Sequence, residues 1–82
     1  MFGVRHEIIQ EFPEFESVIS RLKNNDPTFT RLLADYDHAD KKIYGIEQQM
    51  LPVADNYVHE LKRQRLRLKD RLYQFLRETS AA

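Results

Sequence analysis

The sequence predicts an all-α fold: an antiparallel helical hairpin of the coiled-coil type with a shorter N-terminal helix, forming a small helical bundle. Two stretches place apolar side chains at alternating spacings of three and four residues, a repeat typical of paired helices and incompatible with strands. Three prolines, Pro13, Pro27 and Pro52, divide the chain into helical segments. With 82 residues, the chain is expected to form a single domain.

An N-terminal helical segment is expected over residues 4–24, with Pro13 in the first turn of its main helix. The apolar side chains after that proline recur at helical spacing: Phe15, Val18, Ile19 and Leu22. Asp26 is a favoured N-cap residue directly before Pro27, so the next helix is expected to begin at residue 27.

The first long helix is expected over residues 27–50. Its apolar seam repeats every 3.5 residues on average, which predicts a left-handed helix pair: Phe29, Leu32, Tyr36, Ala39, Ile43, Ile46 and Met50. Gly45 lies outside the seam and weakens the helix by about 1 kcal/mol relative to alanine.

A turn over residues 51–53 leads to the second long helix, expected over residues 54–78, and residues 79–82 are expected to form a disordered tail. The second seam repeats in the same way: Ala54, Val58, Leu61, Arg65, Leu68, Leu72, Phe75 and Thr79. If the chain folds back at Pro52, residues equidistant from that position should face each other. Phe29 and Phe75, each 23 positions from Pro52, are one predicted pair.

Arg65 is the one charged residue within the second seam, and the same register places it opposite Ala39. The small alanine leaves room for the long side chain of Arg65 to pass and extend outward. Asp35 and Asp40 flank Ala39, and either carboxylate is a predicted acceptor for the guanidinium group.

Charge is distributed unevenly along a neutral chain. Residues 1–60 contain six Lys or Arg and eleven Asp or Glu, a net charge of −5, whereas residues 61–82 contain seven and two, a net charge of +5.

Within the second long helix, three arginines form a ridge at a spacing of four residues beside a second apolar line. These five residues are the predicted partner-binding surface: Arg63, Leu66, Arg67, Arg71 and Tyr73. Cover for its apolar residues is expected from either the N-terminal helix or a second copy of the chain.

The sequence does not favour catalysis or cofactor binding. Asp35 and His38 have the spacing of half a carboxylate metal site, but the seam turns His38 outward, so no metal site is expected. The chain has no cysteine, no glycine-rich phosphate loop and no histidine placed to activate a serine. We therefore expect a protein that is not an enzyme and that uses no cofactor.

A membrane role is also disfavoured. No stretch approaches the roughly 20 apolar residues that span a bilayer. The N-terminal residues carry charges and lack the apolar core of a signal peptide. These features and the absence of cysteine favour a cytoplasmic protein.

Five segments resemble the YdcH-like small bacterial proteins, a family classed as a domain of unknown function. They are MFGVRHE, EFPEF, RLKNNDPTF, LLADYDHAD and LKRQRLRLKDRLY, and the most specific block is RLRLKDRLY, residues 65–73. The resemblance implies a helical hairpin or coiled coil and supplies no activity. Arg71 departs from the family, in which many members carry an acidic residue within a KDELY block.

Function is expected to be a non-enzymatic protein–protein interaction or self-association module, whose partner is another copy of the chain or an unidentified protein. The alternative is a nucleic-acid-associated protein that uses the basic C-terminal helix. Asp70 interrupts the arginine ridge and no aromatic side chain interleaves with it for base stacking, so the sequence disfavours that alternative.

Overall fold

A computed structural model describes residues 5–50 and 52–81 of the chain. Within these ranges every regular element is helical, which confirms the predicted all-α class. The elements are α1 (Ile8–Glu11), a 3-10 turn (Pro13–Phe15), α2 (Glu16–Asn25), α3 (Pro27–Gln49) and α4 (Asp55–Ala81). The long helices α3 and α4 pair along their length and produce an elongated shape with extents of 45 × 18 × 18 Å.

Helix α3 begins where the sequence predicted. The side chain of Asp26 accepts a hydrogen bond from the backbone N–H of Phe29 at 3.1 Å, and Pro27 occupies the first turn. The helix ends one residue early, because Met50 adopts the left-handed conformation with φ 52°. The side chain of Met50 is 87% exposed, so the prediction that it closes the seam opposite Ala54 was wrong.

The N-terminal segment predicted over residues 4–24 forms three short elements, and Pro13 begins the 3-10 turn that leads into α2. Phe12 separates α1 from the 3-10 turn with φ −129° and ψ 63°, since a residue before proline disfavours the helical conformation. Val4, the first residue of the predicted segment, lies outside the described residues. We call residues 5–25 the N-terminal arm.

Helix α4 continues through Ala81, so the prediction of a disordered tail after residue 78 is corrected for residues 79–81. The hydroxyl of Thr79 donates a hydrogen bond to the carbonyl of Phe75 at 2.8 Å, and the preceding turn is anchored by the buried Leu76. Residue 82, and residue 51 in the predicted turn, lie outside the described residues.

The core lies at the end of the hairpin that is remote from the turn. Phe29 and Phe75 face each other with ring centroids 5.5 Å apart, as the predicted register requires. The arm packs in cis against this end and contributes three buried side chains to the core: Ile8, Ile19 and Leu22. Burying each such side chain contributes about 1.5–3 kcal/mol, so the arm is a substantial part of the core.

Candidate functional site

Asp40 of α3 is a charged side chain with no exposed surface, and two arginines converge on it. Arg65 Nη1 lies 3.0 Å from Asp40 Oδ1, and Arg5 Nε lies 2.8 Å from Asp40 Oδ2. The backbone N–H of His6 also donates to this carboxylate at 3.1 Å. The buried charge is therefore compensated both by the second long helix and by the arm.

The sequence predicted Asp35 or Asp40 as the partner of Arg65. In the structure, Arg65 pairs with Asp40. Asp35 is exposed and lies 3.6 Å from Arg31 on its own helix. The side chain of Arg65 is only 19% exposed, so it is directed to a buried acceptor and does not extend outward to solvent as the sequence suggested. The contribution of Arg5 was missed, because 35 residues separate it from Asp40 and no local pattern links them.

Tyr36 forms a further contact between α3 and the arm. Its hydroxyl donates a short hydrogen bond to the carbonyl of His6. Burial raises the pKa of Tyr36 above its usual value, and the nearby carboxylates of Asp40 and Glu11 act in the same direction. The phenol therefore remains protonated and retains its hydrogen bond to the arm.

Two other groups near Asp40 have shifted pKa values. The hydrogen bond to Asp40 raises the pKa of Arg5, which stabilises the guanidinium in its charged form. Burial raises the pKa of the Asp37 carboxyl, against the opposing charges of Arg5 and Lys41. These shifts follow from a compact, partly desolvated ion cluster at the start of the arm.

Aromatic contacts hold the middle of the arm on α4. The rings of Phe12 and Phe15 lie 5.2 Å and 6.0 Å from that of Tyr73. Lys69 Nζ lies 3.1 Å from Glu11 Oε1 and 5.7 Å from the centroid of the Phe12 ring. Tyr73, predicted to belong to a partner-binding surface, is thus covered by the chain's own arm.

The remaining residues of that predicted surface are exposed on α4. Leu66 is 57% exposed, one helical turn before Lys69. Arg63 pairs with Glu60 at 3.2 Å, and Arg67 lies one turn beyond it. The helical repeat places the arginine ridge between Leu66 on one side and a groove on the other. Of the five predicted residues, the arm therefore covers Tyr73 and leaves the other four exposed.

That groove lies between α3 and α4 and has a volume of about 450 Å³. We call it the open groove, and nine residues line it: Asp35, His38, Ala39, Lys42, Leu61, Gln64, Arg67, Leu68 and Arg71. Sequence reasoning identified the arginines on α4 but missed His38 and Lys42, which the spacing of four residues on α3 places on one face.

Within the described residues, no group of three or more histidine and carboxylate side chains is placed to hold a metal ion. Among the helices in the same ranges, none has an apolar stretch long enough to cross a membrane. Asp35 and His38, the pair with metal-site spacing, both line the open groove.

Comparisons with known proteins agree on one family. The profile described as Protein of unknown function (DUF465) matches residues 29–76, which span most of the hairpin. The Uncharacterized protein YdcH of Escherichia coli (strain K12) is 35% identical over 69 residues, covering 84% of this chain and 93% of the relative. YdcH of Shigella flexneri has the same identity and coverage. No solved structure matches the chain significantly. The resemblance to YdcH-like proteins is thereby confirmed, and the chain belongs to the DUF465 family of proteins of unknown function.

Proposed function

We propose that this protein is a non-enzymatic helical module that binds another protein, or another copy of itself, through the exposed surface of α4. The observation that carries the proposal is Leu66, an aliphatic side chain that is 57% exposed beside the arginine ridge. The arm covers Tyr73, about two helical turns away, and leaves Leu66 accessible. Apolar side chains with arginine neighbours are typical of protein interfaces.

Charge on the ridge supports the same proposal. Among the described residues, Arg67 and Arg71 form no ion pair within the chain. Exposed charges of this kind contribute little to stability, about 0–1 kcal/mol per pair, but they select partners and orientation. The proposal includes a cytoplasmic location, which the cysteine-free sequence supports.

Photo-crosslinking in bacterial cells from position 70, which is exposed one helical turn beyond Leu66, together with sedimentation velocity of the purified protein, tests this function. We expect crosslinked products that the Leu66→Glu variant loses, because a carboxylate cannot be desolvated in an apolar contact. Ile9→Glu is the matched control, since Ile9 is an exposed aliphatic residue on the arm. Identical mass and crosslinks for the native chain and Leu66→Glu would contradict the proposal.

Nucleic-acid association through Arg63, Arg67 and Arg71 is the second candidate, supported by Arg67 and Arg71, which form no ion pair within the part of the chain that the structure describes. It requires binding whose affinity falls steeply with salt. Titration of labelled single-stranded and double-stranded DNA and RNA at about 50 mM salt distinguishes the two candidates. Saturable binding that depends on the three arginines would favour this alternative.

A further inference from the structure

The open groove gives the hairpin one unfilled side. The arm occupies the other side through its contacts with Asp40, Lys69 and Tyr73. In a helical bundle, each groove between two paired helices accepts a further helix. The side opposite the arm therefore has the geometry of a vacant helix position.

The floor of the open groove is apolar and its rim is mainly basic. Ala39 and Leu61 are buried in the floor, and Leu68 is half-buried beside them. Three rim side chains carry positive charge: Lys42, Arg67 and Arg71. Asp35 is the one carboxylate of the rim, and Arg31 lies 3.6 Å from it. The rim therefore complements an occupant that is negatively charged.

Tyr57 extends this surface toward the turn of the hairpin. It lies seven residues before Gln64 and fourteen before Arg71, so the three side chains project from one side of α4. The phenol ring of Tyr57 is exposed, which supplies an aromatic anchor beyond the basic rim. The distance from Leu61 to Arg71 along the helix is about 15 Å, which matches about three turns of a bound helix.

We propose that the open groove is the docking site for an acidic amphipathic helix of a partner protein. Its apolar face would contact Ala39, Leu61 and Leu68, and its carboxylates would pair with the basic rim. The open groove shares Arg67 and Arg71 with the surface proposed above but lies across the ridge from Leu66, so the proposal goes beyond that function by adding a second binding surface and the chemistry of its partner.

Other occupants fit the groove less well. A nucleic-acid backbone would use the arginines but gain nothing from an apolar floor. A second copy of the chain presents mixed charge, because α2 exposes Arg21 and Lys23 as well as Glu16. An acidic helix matches both the floor and the rim.

The test is binding of a fluorescent synthetic peptide to the purified full-length chain, followed by anisotropy. The probe is a helical peptide of about 16 residues, with leucines along one face and glutamates flanking them. A peptide with lysines in place of the glutamates is the matched probe control. We expect saturable binding of the acidic peptide alone, weakened as salt screens the charges.

Two double variants that change the net charge by the same amount distinguish binding in the open groove from a general electrostatic effect. Arg67→Glu with Arg71→Glu should weaken binding at least about tenfold, because it reverses the rim. Arg21→Glu with Lys23→Glu, exposed on α2 outside the groove, should change affinity less than about threefold. Circular dichroism verifies that all variants retain native helicity.

A photo-crosslinking residue at position 64 provides a second measurement that does not alter the rim charges. It should capture the acidic peptide, whereas the same residue at the exposed position 20 on α2 should not.

Absence of saturable binding, equal binding of the basic peptide, or equal losses in the two double variants would overturn the inference. Binding of a DNA duplex that depends on Arg67 and Arg71, without peptide binding, would overturn it in favour of nucleic acid. Because Leu66 is unchanged throughout, failure here and failure of the proposed function are distinguishable.

Discussion

Arg65 of α4 and Asp40 of α3 meet across the hairpin, with Nη1 3.0 Å from Oδ1 and the carboxylate fully buried. A charged residue within an apolar seam is costly unless a partner of opposite charge is placed beside it. Here the partner lies on the facing helix, and Arg5 of the arm binds the other carboxylate oxygen. This ion cluster links the two long helices to the arm, so its disruption should affect stability and arm docking together.

Asp40→Asn is expected to destabilise the fold by about 2–4 kcal/mol, because it removes the buried carboxylate that pairs with two partly buried guanidinium groups. Urea unfolding monitored by circular dichroism measures the change. Asp35→Asn is the control, and its effect should stay within about 0.5 kcal/mol because that carboxylate is exposed. Equal effects of the two substitutions would show that the buried cluster adds no stability.

Arg5→Met and Arg65→Met should be non-additive. Either substitution leaves Asp40 with one arginine, whereas the double variant leaves a buried carboxylate with no cationic partner. The double variant should therefore lose at least about 1 kcal/mol more than the sum of the single losses. A double-mutant cycle from urea unfolding measures this coupling, and simple additivity would mean that the arginines act independently.

Phe12→Ala should loosen the arm while leaving the hairpin folded. The substitution removes the ring contacts with Tyr73 and Lys69, which hold the arm beside α4. Because Phe12 is half-buried, we expect a loss of about 1–3 kcal/mol, below the range for a fully buried ring. Native-state hydrogen exchange should accelerate in residues 5–15 and change little in α3. The exposed Ile9→Ala is the control, and uniform acceleration along the chain would contradict local release.

Tyr36 should make stability depend on pH in alkaline solution. Its folded-state pKa lies above the unfolded value, so its contribution is intact below about pH 10 and is lost as pH rises through the folded-state pKa. Tyrosinate absorbance should show that one of the four tyrosines resists ionisation until the fold is lost. Tyr36→Phe should remove that component, and ionisation of all tyrosines in the folded native chain would contradict the expectation.

Gly45→Ala should stabilise α3 by about 0.5–1 kcal/mol, because alanine loses less backbone entropy within a helix. Apart from the chain neighbours and the local helix backbone, no atom of the described residues lies within 4 Å of the position that the added Cβ would occupy. Thermal unfolding measures the gain as a higher midpoint temperature. A lower midpoint would show that the helix needs the glycine for a reason other than packing.

Sequence reasoning correctly located the features that depend on neighbouring residues. Asp26 and Pro27 predicted the start of α3, because a capping side chain and a proline act on the next few backbone groups. The seam repeat predicted which faces pair, and one fold-back point at Pro52 placed Phe29 opposite Phe75. The same local patterns predicted the C-terminal ends of α3 and α4 wrongly. Met50 is exposed, and α4 extends to Ala81.

The sequence by itself determined the helical class, the hairpin register and the requirement that Arg65 find a carboxylate. Only the tertiary structure decided which carboxylate Arg65 binds, that Arg5 shares it, and that the arm covers Tyr73 and leaves the open groove unfilled. The physical reason is the range of the interactions. Helix formation and the seam repeat act over a few residues, whereas the side on which the arm packs depends on contacts between residues 30 or more positions apart.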